Sequence, residues 1–211
     1  MSPASSTRER IVEAAMDLFV RQGYERTGLA QIAKVAEAKP GSIYHFFPTK
    51  EDLLKATLEK RLVDCFPIVM AHVWKRVDDP LERIFGVLDG YRQMLLMTEY
   101  EHGCPIGNLV LEVAESLPGT RPLLAANFDN WKSFIAECFE NARDRLPEDS
   151  DPNQLATFVL TTMEGAVMLA RTYRNLDAWD AAIAMLRDYV DRLVADGRGW
   201  DVSHANRSNS N

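Results

Sequence analysis

The residues best able to do chemistry in this chain crowd into residues 27–50. Two lysines, Lys39 and Lys50, bracket a short run that reads Pro40-Gly41-Ser42-Ile43-Tyr44-His45. Gly41 and Ser42 are small enough to let a backbone come close to a ligand. Tyr44 and His45 carry a phenol and an imidazole one step along the same helical turn. Thr27 and Thr49 stand where a hydroxyl caps a helix, and the free N–H groups of a helix start suit phosphate oxygens. Ammonium groups and hydroxyls hold phosphates, and residues at a helix start reach base edges, so this is the chemistry of a duplex-DNA contact. Elsewhere no HExxH, GxSxG, GxGxxG or phosphate-loop pattern occurs, which argues against an enzyme. The histidines at 45, 72, 102 and 204 share no ligand spacing, so no metal and no cofactor is expected.

The elements that must position these groups are helical. Apolar residues recur at intervals of three and four, and the breaks between periodic stretches are Gly and Pro clusters rather than strand-like alternation. Ser6-x-x-Glu9 is a capping box for a first helix, whose stripe Ile11, Ala14, Ala15, Leu18 and Phe19 ends at Gly23. Two short helices follow at 28–35 and 40–46, joined by Ala36-Glu37-Ala38, and a fourth starts at Thr49 with Asp52 closing a second capping box. Such a pair of short helices is a helix-turn-helix, with its second helix in the major groove. Phe46 and Phe47 read as core aromatics. His45 by itself fits a surface position or a contact.

At this point the sequence resembles the TetR family of regulators. The resemblance rests on FVRQGYERTGLAQIAKVAEAKPGSIYHFFPTKEDLL, residues 19–54, which holds DLFVRQGY, Thr27, Ile32-Ala33 and KPGSIYHFFPTKEDLL in family order. Two positions depart from it: Glu37 stands where the family often has Gly in the turn, and Lys39 where it often has a Ser or Thr cap. The resemblance implies an all-α protein of about nine helices, with a three-helix DNA-binding domain over residues 1–52. A ligand-binding and dimerisation domain would follow over 53–197, and then a polar tail over 198–211. It implies that Thr27, Lys39, Pro40, Gly41, Ser42, Tyr44, His45, Thr49 and Lys50 face DNA.

Beyond residue 55 the residues themselves must carry the reading. Residues 153–170 contain one charge, Glu164, so that helix is apolar nearly all round and expected to be buried on two sides. With the heptad-like Ile183, Leu186, Val190 and Leu193 of the following helix, Val159, Ala166 and Val167 form an expected homodimer seam. The alternative is that 153–170 is simply the core of one subunit. A cavity for a small-molecule effector is expected among Met70, Trp74, Met94, Cys104, Asn108, Glu112, Trp131, Met163 and Glu164. Cys104 precedes Pro105 at a helix start, where the dipole favours a thiolate. Its other reading is a cysteine packed as a small hydrophobe.

Charge is uneven. Residues 1–55 hold eight Lys/Arg and seven Asp/Glu, leaving sixteen and twenty-four, so +1 sits beside -8. One end can approach phosphates while the acidic bulk stays off random nucleic acid. Three widely spaced cysteines and no leader or apolar span point to a cytoplasmic protein with no membrane partner. The expected function is a DNA-binding regulator, a repressor bound to a palindromic operator as a dimer and released by an effector. The alternative is a helical small-molecule or thiol-reactive sensor that does not bind an operator.

Overall fold

The computed structural model describes residues 6–205, without the side chains of Pro40 and 198–205. Every regular element among them is helical. In order these are α1 (Thr7–Gln22), α2 (Leu29–Val35), α3 (Pro40–Phe46), α4 (Lys50–Asp64), α5 (Ala71–Trp74), α6 (Pro80–Met97), α7 (Pro105–Val113), α8 (Arg121–Glu140), α9 (Pro152–Tyr173) and α10 (Asp177–Ala205). A π-helical turn, Cys65–Met70, carries α4 into α5 without a break. Pro67 inside it has no amide hydrogen to give to Val63, and the ladder widens around that gap. With α4 to α5 taken as one helix, nine stand among the described residues, in agreement with the expected fold. None of them is long and apolar enough to cross a membrane.

Both anticipated capping boxes form. Ser6 N–H donates to Glu9 Oε2 at 2.7 Å while Glu9 N–H donates back to Ser6 Oγ at 3.2 Å. Thr49 and Asp52 exchange the same pair of bonds, each at 3.0 Å. Asp79 and Asp151 cap α6 and α9 ahead of Pro80 and Pro152, whose fixed φ suits a first helical position.

The chain divides into two compact units. The first holds Met1–Pro67 with Glu101–Asn130, so α7 and the first half of α8 share it with α1 to α4. Its core joins Ile11, Ala15, Phe19, Ile32, Ile43, Leu53 and Leu58 to Ile106, Leu109, Val113 and Leu124. Asn127 on α8 is buried and donates to Leu58 O at 3.1 Å, so its amide is satisfied inside that core. The second unit holds Ile68–Tyr100 with Trp131–Asn211. There Ile84 and Leu88 of α6, Ile135 and Phe139 of α8, Met163 and Ala170 of α9, and Trp179 and Leu186 of α10 are all buried. Arg187 of α10 pairs with Glu82 of α6 and lies 3.5 Å from the Phe85 ring centroid. Exposed pairs of this kind add little, so apolar burial holds the unit together.

The unit grouping does not follow a boundary at residue 52, since α7 lies with the N-terminal helices. Likewise α10 runs on to Ala205 through part of the segment expected to be a polar tail. Residues 206–211 lie outside the described residues.

Candidate nucleic-acid interface

The turn between α2 and α3 is closed by main-chain bonds. Ala38 N–H donates to Ala33 O at 2.9 Å and Glu37 N–H to Lys34 O at 3.3 Å, with Glu37 at φ +49. This is a Schellman cap, in which the left-handed position usually belongs to glycine because a Cβ is crowded there. Glu37→Gly is therefore expected to stabilise the fold by about 0.5–1 kcal/mol, the steric relief exceeding glycine's extra unfolded entropy. It also removes an exposed carboxylate beside α3 and should tighten DNA binding severalfold. Thermal unfolding and mobility shift read the two effects; a lower unfolding temperature would contradict this account of the turn.

From this turn α3 projects with a sharply divided surface. Ile43 and Phe47 are buried, and they anchor the helix on the core of the first unit. Gly41, Tyr44 and His45 are exposed, Tyr44 to 62 %, and Ser42 is half-buried. A Cβ built at Gly41 would meet nothing within 4 Å, so its outer side is open. Lys39 is the exposed N-cap of α3 and offers no side-chain cap, and Pro40 is the first helical residue. Phe46, expected in the core, is instead 37 % exposed and packs edge-on against His45 with ring centroids 5.0 Å apart. Ile43 is the buried position of the seven-residue helix, and Phe47, its C-cap in extended backbone at φ -137, turns into the core just beyond the helix end.

One further expectation is corrected. Thr27 is not a cap: Gly28 holds the N-cap position of α2, while the buried Thr27 hydroxyl donates to Gly23 O at 2.6 Å and accepts from Gln22 Nε2 at 3.2 Å. Lys50, expected as a phosphate clamp, is half-buried, donates to Tyr24 O at 2.6 Å and sits 4.0 Å from the Tyr24 ring centroid. Burial lowers its pKa, and burial pushes the Tyr24 phenol up to about 12. Thr49 is exposed as the N-cap of α4, as anticipated.

The expected effector residues are divided between the two units. Cys104, Asn108 and Glu112 belong to the first unit, and Met70, Trp74, Met94, Trp131, Met163 and Glu164 to the second. Cys104 is the N-cap of α7, as its spacing indicated, with Sγ accepting from Gly107 N–H at 3.5 Å, and it is buried. The Glu112 carboxylate accepts from the main-chain N–H of Tyr24 at 2.7 Å and of Glu25 at 2.6 Å. In the second unit Met70, Trp131 and Met163 are buried, Trp131 Nε1 has no acceptor among the described residues, and Trp74 stacks with Arg83 at 5.4 Å. Met94 and Glu164 are half-buried.

The expected dimer seam is corrected as well. Val159, Ala166, Val167, Leu186 and Val190 are covered by their own chain, and Ile183 and Leu193 are half-covered, so these positions leave little or no surface for a partner. Among the described residues, the large exposed apolar side chains of the two helices are Phe158, Met168, Leu169 and Tyr173 on α9 and Met185 and Tyr189 on α10. A helix apolar nearly all round carries no phase in its sequence, which is why the inward face could be mistaken for the outward one.

Comparison with known proteins now adds to this geometry. Residues 11–57 match the model for bacterial regulatory proteins of the tetR family, and residues 80–186 match the tetracyclin repressor-like C-terminal domain. The chain belongs to the TetR family. An uncharacterized HTH-type transcriptional regulator of Mycobacterium tuberculosis is 32% identical to it, over 87% of this chain and 93% of the relative. The HTH-type transcriptional regulator LmrA of Bacillus subtilis is 30% identical, over 80% and 88%. The crystal structure of regulatory protein TetR from Rhodobacter sphaeroides superposes with a TM-score of 0.77, covering 86% of this chain and 97% of that one, at 24% identity, and so supports the fold. The protein is a TetR-family transcriptional regulator with a helix-turn-helix DNA-binding domain, and its matched relatives are regulators rather than enzymes.

Proposed function

We propose that this TetR-family regulator is a cytoplasmic repressor that grips a palindromic operator as a homodimer and lets go when a small molecule binds. The observation that carries the reading is the division of α3: Ile43 on the helix and Phe47 at its C-cap are locked into the core while Gly41, Tyr44 and His45 of the helix face outward. A reading helix has to be rigid on one side and bare on the other. Gly41, Ser42, Tyr44 and His45 meet base edges or phosphates, Lys39 and Thr49 flank them, and Pro40 sets the first turn. Lys50 and Thr27 act from behind by holding the loop that leads into α2.

The dimer forms on the outer face of α9 and α10, around Phe158, Thr161, Met168 and Leu169 on one helix and Met185 and Tyr189 on the other. Phe158 and Tyr189 pack edge to face with centroids 5.5 Å apart, so the two helices present one continuous apolar surface. Paired across a two-fold axis, two such faces make a four-helix bundle, and two α3 helices can then reach successive major grooves about 34 Å apart. The effector enters among the apolar and half-buried groups of the second unit, where Trp131 Nε1 offers a donor to a ligand acceptor. Release follows from a shift of α4, which alters the separation of the reading helices.

Selection of genomic fragments by the purified protein tests this reading. One inverted-repeat sequence should emerge, bound with an affinity that falls steeply as salt rises, because each neutralised phosphate releases counterions. Enrichment of no sequence, or binding indifferent to salt, would mean a sensor that does not read DNA.

A further inference from the structure

Glu112 is the only ionisable side chain in α7, which reads PIGNLVLEV, and it is turned to one purpose. Its two carboxylate oxygens accept the consecutive amides of Tyr24 and Glu25 at 2.7 and 2.6 Å. Those amides open the loop that leaves α1, where Gly23 takes φ +88 and a Cβ would lie 2.9 Å from Glu112 Oε2. Successive N–H groups at such a turn form a concavity for an anion, and this protein fills it with its own carboxylate. The opposite side of the loop is held too: Tyr24 O accepts from Lys50 at the start of α4, the Tyr24 ring packs on Phe19 with centroids 5.3 Å apart, and Thr27 donates to Gly23 O. The next residue is Gly28, the N-cap of α2. Glu112, Gly23, Tyr24 and Lys50 all lie within the first unit.

We propose that Glu112 is a positioning residue for DNA binding: through the Tyr24 and Glu25 amides it fixes where α2 begins, and so where α3 stands. A displacement of α7 reaches the reading helices through these two bonds. A carboxylate is required because both partners are donors. Glutamine has one acceptor oxygen and would turn its own NH2 toward the second amide, and aspartate is one methylene shorter. The inference rests on the DNA-binding reading above.

Chemical rescue tests it. The probe is the duplex that the wild-type protein enriches. Glu112→Ala should bind this duplex about tenfold or more weakly, in line with the loss of two charge-assisted bonds, with an unchanged helical circular dichroism spectrum. Sodium formate at tens of millimolar should restore the affinity, whereas sodium chloride at equal ionic strength should not, and wild type should respond to neither salt specifically. Without any DNA, amide exchange at Tyr24 and Glu25 should quicken in Glu112→Ala and slow again in formate. Gly23→Ala should show the same loss of binding with no response to formate, because its Cβ blocks the anion. Equal binding by wild type and Glu112→Ala overturns the proposal, and so does a loss that formate leaves untouched. A wild-type protein that enriches no duplex overturns the regulator reading itself, and this one with it.

Discussion

Tyr44→Ala is expected to lower operator affinity by about a thousandfold while leaving the protein folded and its assembly unchanged. A side chain that meets a base edge contributes about 1–3 kcal/mol, and a two-fold assembly makes each contact twice, so about 2 kcal/mol per copy becomes about 4 in total. The fold pays almost nothing for the change, since Tyr44 is 62 % exposed and its inward neighbours Ile43 and Phe47 hold α3 without it. Exposed substitutions of this sort alter stability within about 0.5 kcal/mol. Mobility shift on the selected operator, with circular dichroism and sedimentation as controls, separates the two effects. Tight operator binding by this variant would show that α3 does not read the duplex.

Met185→Asp is expected to dissociate the dimer into folded subunits and to cut operator affinity by about a hundredfold or more. Met185 is 67 % exposed on α10, within one apolar surface with Tyr189 and Phe158. Across a two-fold axis each substitution appears twice, so two desolvated carboxylates confront apolar surface and each other. A monomer holds one half-site and forfeits the advantage of presenting two reading helices at once. Sedimentation at micromolar concentration reads the assembly, and mobility shift reads the affinity. Two controls sharpen the result. Leu186→Asp, at an interior position beside it, should unfold the subunit, and Met97→Asp, 78 % exposed on α6, should leave the dimer intact. A Met185→Asp protein that remains dimeric would place the interface elsewhere.

The helix-turn-helix was legible because its signals are local. Ser6 with Glu9 and Thr49 with Asp52 each act over three residues, and the structure forms both. Gly41, Tyr44 and His45 lie outward as their spacing on a short helix requires. Errors arose where two local readings compete. Thr27 has the residue type of a cap, but Gly28 takes the role and Thr27 turns inward to the carbonyl that ends α1. Phe46 and Phe47 are alike in sequence, but α3 ends at Phe46, which stays at the rim, and the backbone turns extended at Phe47, which goes inward.

From its residues alone this chain is all-helical, with a short helix at 40–46 that closes a helix-turn-helix and with helix starts placed by caps. Those properties depend on hydrogen bonds and stripes that close within one or two turns, so neighbours in the chain suffice to determine them. Tertiary structure alone decided which face of α9 turns inward, because a helix apolar on every side packs by fit to its neighbours rather than by pattern. It also decided that Lys50 serves the Tyr24 carbonyl and that Glu112 holds amides 88 and 87 residues away. Charged groups find such partners only once the core has brought distant segments together, and burial then makes an unpaired charge too costly to leave.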